Sequence, residues 1–176
     1  MRRALYRVGQ FGRSLCGRLS REQLTHVESW LTLPLFELFC RLTPSEQYHA
    51  YRVRQTLVAG GQTNPDLLIA ALLHDVGKSK MPLAIWQRVL IVLGFKFAPS
   101  RALRWGTGPD PSSAWARPFV VAVHHPELGA EMVKAAGGTE LAVELIRRHQ
   151  ERKEREKEKE RERELLSVLQ HADNSN

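Results

Sequence analysis

Apolar residues recur along most of this chain at three- and four-residue spacing, and few stretches alternate residue by residue, so the pattern predicts an all-α protein. Between residues 19 and 42, Leu24, Val27, Leu31, Leu35, Leu38 and Phe39 predict one or two amphipathic helices, with Pro34 suited to begin the second. Thr43-Pro44-Ser45-Glu46 marks a helix start, in which Thr43 caps, Pro44 takes the first helical position and Glu46 the third. That helix should carry His49, Val53 and Leu57 as far as Ala59, where Gly60-Gly61 ends it. Asn64-Pro65 repeats the signal. It opens a helix from Asp66 to about Asp75 that is apolar nearly all round, which predicts a central, buried position. Residues 106–118, rich in Gly, Pro and Ser, read as a loop. His125-Pro126 reads as a further helix start, and Gly137-Gly138-Thr139 separates that helix from one beginning near Glu140.

A length of 176 residues with 43% hydrophobic and 26% charged positions suits one globular unit whose core needs no disulfide or zinc staple. Residues 1–42 read as a helical extension packed on a core domain of residues 43–176. Cys16 and Cys40 lack Cys-x-x-Cys spacing and read as bystanders in a reducing, cytoplasmic setting. No apolar run reaches the length of a bilayer span, because the longest, residues 85–97, is broken by Gln87, Arg88 and Lys96.

Lys and Arg number 26 against 19 Asp and Glu, and the resulting +7 invites an anionic partner. Most of that excess lies in the first 28 residues. Residues 1–18 are Arg-rich and acid-free, lack the apolar stretch of a secretory signal, and read as a basic surface helix. Residues 150–164 contain no apolar side chain, and their acids nearly cancel their bases. That segment reads as a solvated protrusion rather than a nucleic-acid contact.

Trp86, Val89, Leu90, Val92, Leu93, Phe95 and Phe97 form a bulky stretch beside Lys96, Arg101 and Arg104. The pattern favours a lid over the site or part of the core, with weak contact to a membrane surface as the alternative. Trp105 and Trp115 border the Gly/Pro loop and read as covers for the core, with stacking on a base as their alternative.

Candidate chemistry gathers at His74-Asp75, at the end of the buried helix. A carboxylate there needs a compensating partner, because an isolated buried charge costs too much, and a metal ion supplies one. His49, His125, His149 and Asp173 stand at intervals of 25 residues (His49 to His74), 24 (His125 to His149) and 24 (His149 to Asp173). Each interval fits an outgoing helix, a reversal and a return, so these side chains can converge in a helical bundle. Neutral imidazole with carboxylate suits Mn, Fe, Co, Ni or Zn better than Mg. His124 stands as the alternative to His125, while His26 and His171 have no partner at ligand spacing. A straight helix from His149 to Asp173 would separate them by roughly 36 Å, so the chain must reverse. With no Gly or Pro between them, the reversal falls in the charged run, and a helix from about Leu165 to Asp173 returns the last ligand.

The order His49, His74-Asp75, Asp173 resembles the HD superfamily of metal-dependent phosphohydrolases, over about 70% of the chain. The block His74-Asp75-Val76-Gly77-Lys78 is similar to that of its phosphodiesterase branches. His125-Pro126-Glu127-Leu128-Gly129 and Arg148-His149-Gln150-Glu151 resemble segments of the HD-GYP relatives. Gln150 stands where those relatives carry a second His, which favours a binuclear centre over a trinuclear one, and their Gly-Tyr-Pro loop is absent. The resemblance implies an HD-domain helical bundle with one metal on His49, His74, Asp75 and Asp173 and a second on Asp75, His125 and His149. It implies hydrolysis of a nucleotide, cyclic (di)nucleotide or other phosphate ester by a water that loses a proton between the ions. Asp75 bridges, and Lys78, after the helix break at Gly77, approaches a substrate phosphate or else serves as a charge at a helix end. The ligand order also resembles HD-type di-iron oxygenases, and a degenerate module that binds nucleotide as a sensor would keep the same residues.

Overall fold

A computed structural model describes residues 17–81, 83–108, 115–151 and 160–176, and every regular element among them is helical. In chain order these are α1 (Arg21–Trp30), α2 (Leu33–Cys40), α3 (Pro44–Ala59), α4 (Pro65–Leu73), a short 3-10 helix (Val76–Lys80), α5 (Ile85–Phe97), α6 (Pro99–Thr107), α7 (Arg117–Ala135), α8 (Glu140–Arg148) and α9 (Glu160–Ser175). Residues 1–16, with Cys16 and most of the expected basic helix, lie outside the described residues, as do 109–114 of the expected loop and 152–159 of the charged run.

Local capping chemistry places the helices where the sequence puts them. The Glu46 carboxylate accepts from both the Thr43 amide at 2.9 Å and the Thr43 hydroxyl at 2.8 Å. Asn64 accepts from the Leu67 amide at 3.1 Å and Thr139 from the Ala142 amide at 3.2 Å, each satisfying a donor left open in a first turn. Thr139 also donates to Asp66 at 2.6 Å, tying the start of α8 to the start of α4. After α3 and α7 the chain turns through Gly61 and Gly137, at φ +81° and +82°, where a Cβ would be strained.

α4 is the central element. Leu67, Ala70, Ala71, Leu72 and Leu73 are all buried, and α2, α3, α8 and α9 pack around it. Val27, Leu35, Leu38 and Phe39 of the first two helices join the same core as α4, α8 and α9.

Three expectations are corrected. His125-Pro126 does not start a helix, because Pro126 lies inside the continuous α7. Residues 160–164, at the end of the charged run, already belong to the last helix, which was expected only from about Leu165. The bulky stretch is not part of the core: Trp86, Val89, Val92, Leu93 and Phe97 of α5 are exposed. Its inner face alone is packed, with Phe95 tilted against Phe119 of α7 at 6.1 Å.

Candidate metal centre

Six elements meet where the chemistry was expected. His49 comes from α3, His74 from the end of α4, Asp75 from the residue before the 3-10 helix, His125 from α7, His149 from the end of α8 and Asp173 from the last turn of α9. The ligand-capable atoms fall into two sets that can each hold a metal ion, His49 with His74 and Asp173, and Asp75 with His125 and His149. In the first, His49 Nε2 is 2.8 Å and His74 Nε2 3.5 Å from Asp173 Oδ1. In the second, Asp75 Oδ1 is 3.3 Å from His125 Nε2 and 3.9 Å from His149 Nε2. The other oxygen, Asp75 Oδ2, is 3.7 Å from His74 Nε2 of the first set and 2.6 Å from Lys78 Nζ. Asp75 therefore stands between the two sets with one oxygen toward each.

The reversal required between His149 and Asp173 takes place. Gln170 of α9 donates to the Glu151 carbonyl at 2.8 Å, which docks the returning helix against the end of α8. The C-terminal Asn176 side chain reaches Thr56 on α3 at 2.8 Å, holding Asp173 against His49.

Three buried imidazoles share one arrangement. His74 Nδ1 is 3.0 Å from the Ala71 carbonyl, His125 Nδ1 3.0 Å from that of Val121, and His149 Nδ1 2.7 Å from that of Ile146. A carbonyl can only accept, so each Nδ1 carries a proton, and in the His125 and His149 rings, which burial keeps neutral, Nε2 turns a lone pair into the site. His125 and His149 then face each other through their Nε2 atoms at 3.3 Å, with Asp75 Oδ1 beside them. Burial, the largest cause, keeps both rings neutral, and the His149 pKa is pushed down to about 3 with help from His74 and His125. His74 Nε2 is buried without a hydrogen-bond partner. The His125 and His149 lone pairs converge with Asp75 Oδ1 as acceptors that fit a cation, and the imidazoles and carboxylates together are a matched set for a divalent metal of borderline character.

Electrostatics in the first set run the other way. Burial alone would lower His74, but Asp75 and Asp173 outweigh it and raise the imidazole to about 9. Burial opposes ionisation of Asp173, yet His74 and His49 hold its carboxyl well below the usual range. Asp75 is likewise held low against its burial, chiefly by Lys78, whose Nζ lies 2.6 Å from Asp75 Oδ2. The Lys78 side chain remains 32% exposed.

Pro126 is part of the site's construction. It has no N–H to give the Ala122 carbonyl four residues back, and His125 Nδ1 lies 3.1 Å from that oxygen. Gly77 is another constructed contact. A methyl group on it would overlap the His125 carbonyl oxygen and press on the Gly129 amide at 2.7 Å, so the 3-10 helix can pass α7 only without a side chain there. Its part is close approach to α7, beyond the chain break read from the sequence.

His124 is excluded from the site, since its Nε2 pairs with the Gly106 carbonyl at 3.1 Å and so faces α6. His26 stacks on Trp30, and His171 is exposed on α9. Trp105 lies against Phe119 at 5.1 Å, while Trp115 is exposed. Two neighbours were not read from the sequence as part of the site, Gln150 having been noted only as a departure from the HD-GYP segment. Gln150 Nε2 lies 3.4 Å from His125 Nε2, and Glu46, read only as a cap, is buried where its charge helps keep Lys78 protonated. The single signal for either was position, one residue after a ligand and three before another.

The family model of the HD domain matches residues 5–175, and the chain belongs to the HD domain family. HD domains bind divalent metals, and the fold here is the all-α bundle of that family. A search of curated proteins and a search of solved structures each gave no significant match. No helix among the described residues is long and apolar enough to cross a membrane.

Proposed function

We infer that the protein is a metal-dependent phosphohydrolase acting on a nucleotide, a cyclic (di)nucleotide or another phosphate ester. The observation that carries this reading is Asp75, buried between two ligand sets with one carboxylate oxygen turned toward each. His49, His74, Asp75 and Asp173 would hold one ion and Asp75, His125 and His149 the second, with Mn, Fe, Co, Ni or Zn the fitting metals. Bound there, divalent ions supply charge neutralisation at the phosphoryl oxygens and lower the pKa of a nearby water.

The chain's own residues do the rest. The three Nδ1–carbonyl bonds fix the orientation of the rings before any metal is loaded. Lys78, partly exposed and fully charged beside Asp75, presents a point positive charge to an entering phosphate.

The test is a turnover panel of nucleotides, cyclic dinucleotides and a chromogenic phosphodiester with protein reconstituted in Mn, Fe, Co, Ni or Mg. Hydrolysis with at least one metal, abolished by Asp75→Ala, is expected. Oxygen uptake by the iron-loaded protein with no hydrolysis, or tight nucleotide binding with no turnover under any metal, would overturn the reading.

A further inference from the structure

The outward face of α5 has no partner among the described residues. At 100° per residue, positions 86, 89, 92, 93 and 97 fall on one side of the helix. There Trp86 and Phe97 are 63% and 74% exposed, with Val89, Val92 and Leu93 between them. The opposite side is the packed one, where Gly94 leaves room for the Phe119 ring. α6 continues the outward surface through Trp105, which touches Phe119 yet stays 43% exposed. Seven of the ten large apolar side chains exposed among the described residues lie on these two helices. Soluble domains expose such residues singly, whereas a contiguous patch marks a docking surface.

Charge says what docks. No Asp or Glu occurs between Asp75 and Asp110, while Lys80, Lys96, Arg101 and Arg104 all do, and all four are exposed. None of them has an acidic partner among the described residues. Lys96 Nζ lies 5.3 Å from the Phe97 ring centroid, a cation set beside an exposed aromatic. A helix with Trp and Phe near the two ends of an apolar face, flanked by lysine and arginine and free of acid, has the composition of an interfacial helix on anionic lipid.

We propose that α5 and α6 dock this protein on the surface of an anionic lipid bilayer, with Trp86 and Phe97 entering the boundary between headgroups and acyl chains. The other occupants fit less well. Residues 1–16 of the chain itself would set Arg2, Arg3, Arg7 and Arg13 against a cationic surface, and a second copy would oppose like charges. A nucleic acid would meet the cations but leave the aliphatic side chains Val89, Val92 and Leu93 without a partner. Lys78, in the 3-10 helix Val76–Lys80, is near in sequence to α5, which begins at Ile85, so the docked helix adjoins the segment that carries it.

Co-sedimentation of the full chain with phosphatidylcholine vesicles, with and without phosphatidylserine, tests the proposal. Binding to the mixed vesicles alone is expected, with loss at high salt. A Lys96→Glu, Arg101→Glu, Arg104→Glu variant should bind about a hundredfold more weakly. A Trp86→Ser, Phe97→Ser variant should bind about tenfold more weakly at an unchanged melting temperature, since both positions are exposed. Equal sedimentation of wild type and both variants, or none with mixed vesicles, would overturn the proposal. So would loss of binding on deleting residues 1–16 alone, retention of RNA in place of vesicles, or a dimer that Trp86→Ser dissolves.

Discussion

Gly77 passes so close to the backbone of His125 that no side chain fits between them. This contact sets how deeply the 3-10 helix, with Asp75 at its head, sits against α7. Gly77→Ala must push the two apart. The expected cost is about 1–3 kcal/mol of stability, as for other forced overpacking, together with weaker metal binding. Urea unfolding and a Mn titration check both. An unchanged midpoint would mean the two segments are not in contact.

Pro126 removes a helix donor at the point where His125 uses the freed acceptor. Pro126→Ala restores an amide that competes for the Ala122 carbonyl, leaving His125 Nδ1 with Val121 alone. Helix stability should hold or rise while metal affinity falls about tenfold, as expected when an orienting partner is lost. Thermal melts and metal titration separate the two effects, and an unchanged affinity would show that Ala122 does not orient the ring.

In the metal-free protein His74 is raised to about 9, above its unfolded value near 6.5. A group raised on folding contributes stability that is complete below its unfolded pKa and is lost as pH climbs through the folded one. Stability of the chelator-treated protein should therefore decline between about pH 6.5 and 9, by on the order of 3 kcal/mol for this shift. Metal at Nε2 excludes the proton, so the decline should vanish on loading. Denaturant midpoints across that range, with and without Mn, provide the check. A flat profile for the metal-free protein would contradict the ion pairing of His74.

Deleting residues 173–176 removes Asp173 and the Asn176 contact to α3. Metal bound per chain should fall by about one equivalent, because Asp75, His125 and His149 stay together. His124→Ala should leave the metal content unchanged, since that ring faces Gly106. Full metal content after the truncation would remove Asp173 from the site.

Much of this site was legible in the sequence because its ligands sit at or near helix ends whose caps are local. Thr43, Asn64 and Thr139 each announce a helix through one side chain and one amide, and those helices carry His49, His74 and His149. The continuity of α7 was not legible. A proline normally ends a helix, and here the carbonyl it leaves open lies within reach of the His125 ring, a contact no periodicity encodes. The fate of α5 escaped for a different reason: spacing shows that one face is apolar but not whether another element covers it. The role of Gly77 and the placing of the two oxygens of Asp75 depend on how α7 crosses the 3-10 helix, which only the assembled chain defines.

The proposed chemistry needs two metal positions joined by Asp75, and metal stoichiometry tests that most directly. Elemental analysis of protein reconstituted with Mn and desalted should give two ions per chain. Asp75→Ala should lose both, His49→Ala should retain one, and His149→Ala should also retain one. Wild-type protein without metal, or an Asp75→Ala variant that still holds two ions, would contradict it.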